Sequence, residues 1–145
     1  MKIEKKLAPE RLYKEYRTTD NIKYIVVQVI ENNIVQHYHV HNGKAIQLIP
    51  DNYMSDSVKG AKLSDYGKLH GICNKYNSIS VGVPNNMSAA DKQTCVNLLM
   101  TIKQRYKICN ENIVRQLDVT GVANPEQWHD NDKWNADIKN KLIDI

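Results

Sequence analysis

Three histidines, His37, His39 and His41, alternate within five residues, and two more, His70 and His129, stand alone. Imidazoles two residues apart on a strand project from one face about 7 Å apart and can share a metal ion. Three ligands on one straight strand do not converge tetrahedrally, however, and His39 and His41 read equally well as residues on a solvated hairpin face. His70 and His129 have no partner nearby in sequence and read as solvated or satisfied side chains. Cys73, Cys95 and Cys109 are odd in number and lack the short spacings of a zinc knuckle or a redox pair, so they read as reduced core thiols. Trp128, Trp134 and the tyrosines could stack on sugar rings, although Trp134, spaced by fours from Ile138 and Leu142, fits a helix face in the core.

The elements that must position these residues follow from periodicity. Tyr24 to Ile30 is a nearly continuous β-branched run interrupted by Gln28, the pattern of a central strand buried on both faces. Val35 to His41 and Lys44 to Ile49 flank Asn42-Gly43, whose tolerance of positive φ makes a hairpin. Residues 51–77 form a long surface connection, the kind of segment that carries binding loops. Ser78 to Val83 returns to strand character. Ser88 and Asp91 open a helix from about Ala89 to Lys107, with Cys95, Leu98, Leu99, Ile102 and Tyr106 on one face. Ile113 to Leu117 reads as a strand, Asp118 to Asp132 as a loop, and Asp132 to Ile145 as a terminal helix. Strands and helices in mixed order give an α/β protein, a single mixed β-sheet flanked by helices.

Composition narrows the class. A chain of 145 residues suits one domain, and no repeat or linker divides it, so residues 1–145 are expected to form a single unit. With 41% apolar and 25% charged residues and no apolar run near the ~20 residues of a membrane span, it is expected to be soluble. The N-terminus, Met-Lys-Ile-Glu-Lys-Lys, is not followed by an apolar core, so no signal peptide and a cytoplasmic site of synthesis are expected. The net charge of +4 is scattered rather than clustered, which argues against a nucleic-acid partner.

Four segments in this order resemble the zinc-dependent N-acetylmuramoyl-L-alanine amidases of clostridial and phage-endolysin type, which share a peptidoglycan-recognition-protein-like fold. They are Tyr24-Ile25-Val26-Val27-Gln28; His37-Tyr38-His39-Val40 with Gln47 to Asn52; His70-Gly71 with Asn77-Ser78-Ile79-Ser80-Val81-Gly82; and Ile113-Val114-Arg115-Gln116-Leu117-Asp118-Val119-Thr120-Gly121-Val122-Ala123-Asn124-Pro125. Lys133-Trp134 matches a later Lys-Trp. The resemblance covers the chain from about Lys2 to its C-terminus.

In that family two His and a Cys or Asp hold zinc, which activates water and polarises the amide between muramic acid and L-alanine. Here Gln28, Gln116 and Asn124 stand at the ligand positions, Gly82 at the Glu position and Val122 at the Lys position. Side-chain amides are poor zinc ligands. The resemblance therefore implies a non-catalytic relative with no cofactor, and Asp118, Thr120 and Gly121 are expected to be structural turn residues. Family members also place roughly 20 or more residues between the first ligand and the His-Tyr hairpin, in keeping with the length of parallel crossovers. Only Val29 to Gln36 lies between Gln28 and His37, a deletion that is expected to expose sheet surface and invite a partner or homodimer. The function expected on this basis is binding of peptidoglycan or of a protein partner, with holin-associated lysis or protein and toxin release. Two alternatives stay open: a residual peptidoglycan amidase using His37, His39 and His41, and a prophage remnant without a selected role.

Overall fold

The computed structural model describes residues 1–13 and 15–143. Its strands are β1 (Ile3–Lys5), β2 (Tyr24–Val29), β3 (Tyr38–His41), β4 (Lys44–Gln47), β5 (Ser78–Val83) and β6 (Ile113–Arg115). They form one six-stranded sheet in the order β1-β4-β3-β5-β2-β6. β2, the apolar run, lies between β5 and β6 and pairs parallel with both, as a strand buried on both faces should. The β3–β4 pair is the antiparallel hairpin, with Asn42 at φ 51° and Gly43 at φ 72°. β1, only three residues long and bearing Glu4 and Lys5, was not foreseen; it pairs with the outer side of β4.

Helix α1 (Ala89–Tyr106) begins where the Ser88 Oγ accepts from the Asp91 N–H at 3.1 Å. The Asp91 Oδ1 in turn accepts from the Gly43 N–H at 2.8 Å, so the helix cap also holds the hairpin turn. α1 buries Cys95, Leu98, Leu99 and Ile102 against Ile25, Val27, Ile79, Val81 and Ile113. Trp128, Trp134 and Ile138 complete this core, which excludes both tryptophans from sugar stacking. A smaller cluster of Val26, Val58, Cys73, Val114 and Val119 fills the other sheet face beneath the 51–77 connection.

Several boundaries differ from expectation. β6 stops at Arg115 because Gln116–Thr120 turns into a short helix, α2, where a continued strand and a loop were expected. The Asp118 carboxylate accepts from the Arg115 backbone N–H at 2.8 Å, which turns the chain at that point. The terminal helix is shorter: α3 spans Asn131–Asp137 and a 3-10 turn follows at Lys139–Lys141, while Asp144 and Ile145 lie outside the described residues. Of the cysteines, Cys73 and Cys95 are buried but Cys109 is exposed, so it is not a core thiol.

The short connection between β2 and β3 closes because of stagger. Val29 pairs with Val83 at the end of β5, and Tyr38 pairs with Val81. β3 therefore starts near the far end of β5 and runs beyond it. Residues 30–37 step back by two residues rather than a whole strand, so no long crossover is needed.

Candidate active site

Register places the site. Gln28 pairs with Gly82, Gly82 with His39, and the adjacent β2–β6 ladder brings Gln116 next to Gln28. These four residues cross the sheet in one row at the C-terminal ends of its parallel strands, where open α/β sheets hold ligands. Along β5, Ser78, Ser80 and Gly82 share this face and leave it shallow. A polar layer lies on that shallow strip. The Arg17 Nη1 donates to the Ser78 carbonyl at 2.6 Å, the His37 ring lies 3.2 Å from the Ser80 Oγ, and Gln36 sits over Gly82.

Gly82 has no room for a side chain. A Cβ there would lie 2.7 Å from the Gln36 Oε1, 2.8 Å from the His39 Cδ2 and 2.9 Å from Ile30. The volume that a carboxylate would fill is taken by an amide and an imidazole.

The amides form a directional chain. The His39 Nε2–H donates to the Gln36 Oε1 at 2.7 Å, since that oxygen can only accept. The Gln36 Nε2 donates to the Gln28 Oε1 and to the Val29 carbonyl, both at 3.3 Å. The Gln28 Nε2 donates to the Gln116 Oε1 at 2.6 Å and to the Ser57 carbonyl at 2.9 Å. The Asn124 Oδ1 accepts from the Val29 N–H at 2.8 Å. The chain ends at Gln116, whose N–H₂ donates to no other group among the described residues. Gln28, Gln36, Gln116 and Asn124 line one cleft of about 340 Å³, with Ile34, Leu63 and the half-exposed Val122 on its rim.

The three expected ligand positions thus come together with Gly82, and Val122 stands at the cleft edge. The histidine trio does not converge. All three lie on one face as alternation requires, but His37 is buried over Ser80, His39 lies over Gly82, and His41 is exposed beyond the end of β5. Among the described residues no group of three His, Cys, Asp or Glu could hold a metal ion, so the relocated site at His37, His39 and His41 is set aside. His70 is engaged by the Gly60 carbonyl at 2.9 Å, and the His129 ring packs edge-on against Tyr66. Sequence reasoning missed Gln36, Ser57 and Arg17. The alternation Ser78, Ser80, Gly82 within a strand was the available signal, because small residues there mark a close approach.

Burial tunes the charges. His37 is pushed down to about 4 by burial and by the Arg17 guanidinium, and His39 to about 4 by burial and by His41. Both imidazoles are neutral at neutral pH. Burial also lowers Arg17, to about 10, which leaves it charged.

A cleft over the C-terminal ends of parallel strands, in a mixed six-stranded sheet backed by one long helix, defines an α/β fold built around a single sheet-end site. This is the fold of the peptidoglycan amidases and endolysin catalytic domains. Among solved structures the chain is similar to a mutant endolysin from Bacillus subtilis, at 19% identity and TM-score 0.75, covering 98% of this chain and 99% of that one. It is similar to the catalytic domain of XlyA at 17% identity and TM-score 0.74, covering 99% and 100%. A third is the N-acetylmuramoyl-L-alanine amidase LysC from Clostridium intestinale, at 13% identity and TM-score 0.68, covering 99% of each chain. No protein-family model matches the chain, and no curated protein matches it significantly in sequence. The comparisons correct one expectation. These neighbours are an endolysin, a catalytic domain and an amidase, which points to an enzyme, and the reading of the chain as a non-catalytic relative falls. No helix among the described residues is long and apolar enough to cross a membrane.

Proposed function

We propose that this chain acts on peptidoglycan, holding the amide-linked muramoyl peptide in the cleft over Gln28, Gln36, Gln116 and Asn124 through neutral side-chain amides rather than through zinc. The supporting observation is the amide chain that ends at Gln116, a residue lining the cleft, whose N–H₂ donates to no other group among the described residues. A peptide carbonyl is its natural acceptor, and a donor fixed by three preceding hydrogen bonds costs little to order on binding.

Zinc does not fit this donor set. The Gln28 amide turns its N–H₂ toward Gln116, the Asn124 oxygen is spent on the Val29 N–H, and neutral amides compete poorly with imidazole or thiolate for zinc. No chemical step is therefore routed through a metal. Access to the wall through a holin-type membrane protein belongs to the same reading and rests on the family resemblance.

Co-sedimentation of the intact protein with purified peptidoglycan tests the proposal, alongside release of free L-alanine amino groups with and without added zinc. Binding that is insensitive to a chelator and weakened about tenfold by Gln116→Leu is expected. Absence of binding, or binding and release that both require zinc, overturns it.

A further inference from the structure

The cleft does not end at the amide row. Ile34, Asp56, Ser57 and Lys59 line it and also line an adjoining trough of about 210 Å³, whose far wall is Arg11 and Leu12. Arg11, Leu12 and Asp56 continue into a third hollow of about 300 Å³ beside Tyr13 and Met54. One groove thus leads from Gln116 past Lys59 to Arg11. The turn that builds its rim depends on Asn33, at φ 71°, which lets the shortened β2–β3 connection fold back and present Ile34 and Val35 to the trough.

The charges along the groove are uneven. Asp56 is engaged by Lys75 at 3.5 Å, and Lys75 also holds Glu15 at 2.8 Å. Arg11 and Lys59, by contrast, form no ion pair among the described residues, although both line the same trough. Arg11 and Lys59 line this trough together with Asn33, Asp56 and Ser57, and because Asp56 is already engaged by Lys75 the two cations are left to suit a ligand carboxylate. An Arg and a Lys together supply charge-assisted hydrogen bonds that a neutral amide cannot match.

We infer that this arm of the groove is a carboxylate subsite, in which Arg11 and Lys59 select a peptide bearing a free acidic group one or two residues beyond the amide held at Gln116. The inference rests on the proposed peptidoglycan reading and adds a specificity to it. A chain leaving the amide row in extended form advances about 3.3 Å per residue, and the trough, which shares Ile34, Asp56, Ser57 and Lys59 with the cleft, is the hollow next to that row.

The test compares two probes that differ in one group, the γ-methylamides of N-acetylmuramoyl-L-alanyl-D-glutamic acid and of its D-isoglutamine counterpart, so that the γ-carboxyl is blocked in both and a carboxamide replaces the only free carboxylate in the second. Calorimetry on the full chain at low salt is expected to show about tenfold tighter binding of the acid, with the preference falling as salt is raised. In Arg11→Gln/Lys59→Gln both probes should bind with the weaker constant. Both substitutions are at exposed positions, so the fold should be retained, and this is checked by an unchanged thermal midpoint. Equal binding of the two probes by the unaltered chain, or a preference that survives in the double variant, overturns the carboxylate subsite and leaves the peptidoglycan reading standing. Binding of neither probe overturns both.

Discussion

Protonation of His37 should measurably destabilise the fold, and hydrogen bonding shows why. The Ser80 N–H donates to the His37 Nδ1 at 3.1 Å, so that nitrogen must carry a lone pair. The Nε2 lies 2.7 Å from the Tyr53 carbonyl and so carries the proton. A second proton would have to sit on Nδ1, facing an N–H, with the Arg17 guanidinium 3.3 Å from the other ring nitrogen. The folded chain therefore resists protonation down to about pH 4, whereas the unfolded chain takes up the proton near 6.5. A folded pKa below the unfolded one gives stability that is complete above about pH 6.5 and is lost as pH falls toward 4. At 1.36 kcal/mol per unit the full span is worth about 3 kcal/mol, of which about 2 should disappear between pH 7 and pH 4.5. Carboxylates and His39 titrate in the same window, so the measurement is a difference. Urea unfolding of the unaltered chain and of His37→Gln, followed by fluorescence of the buried Trp128 and Trp134, is compared at both pH values. The substituted amide does not titrate, so the stability gap between the two proteins should narrow by about 2 kcal/mol at the lower pH. Parallel pH profiles would refute the tautomer assignment and the burial argument together.

Four further outcomes follow from the same geometry. Gln28→His/Gln116→His/Asn124→Cys should bind one zinc per chain in calorimetry while the unaltered chain binds none at these positions, since the replaced side chains already adjoin one another. Tight zinc binding by the unaltered chain that Gln28→Ala abolishes would contradict this. Gly82→Ala should cost about 1–3 kcal/mol in urea unfolding, because the new methyl meets Gln36, His39 and Ile30 below 3.0 Å. Asp91→Ala should cost about 1–2 kcal/mol, because it leaves the Gly43 N–H without its acceptor and frees the hairpin tip. Trp128→Ala should cost about 3–5 kcal/mol, the ordinary cost of emptying a fully buried aromatic site, and an exposed, sugar-stacking tryptophan would show almost none.

Much of the fold was legible because the determining signals are local. Tyr24–Val29 is apolar at five of six positions, Asn42-Gly43 can adopt positive φ at both residues, and Ser88 caps a helix whose apolar face repeats by threes and fours. The misreadings fell where a specific contact overrides local pattern. Gln116 and Leu117 were expected to continue the strand that begins at Ile113, yet the Asp118 carboxylate captures the Arg115 N–H and the chain turns helical. The histidine alternation was correctly read as one face, but whether those rings are buried or exposed depends on how far β3 overhangs β5, and no residue within β3 encodes that.

The sequence by itself determined which residue types stand at the positions that the resemblance marks: amides at Gln28, Gln116 and Asn124, no side chain at Gly82, no charge at Val122. It also determined the strands and the helix that carry them. Only the tertiary structure decided that Gln36 and His39 occupy the space Gly82 leaves, that the amides donate in one direction toward Gln116, and that Arg11 and Lys59 face a common trough. The physical reason is the range of the interactions. Propensity and periodicity act over a few residues, whereas strand stagger, hydrogen-bond direction and the meeting of Arg11 with Lys59 are fixed by contacts between segments far apart in the chain.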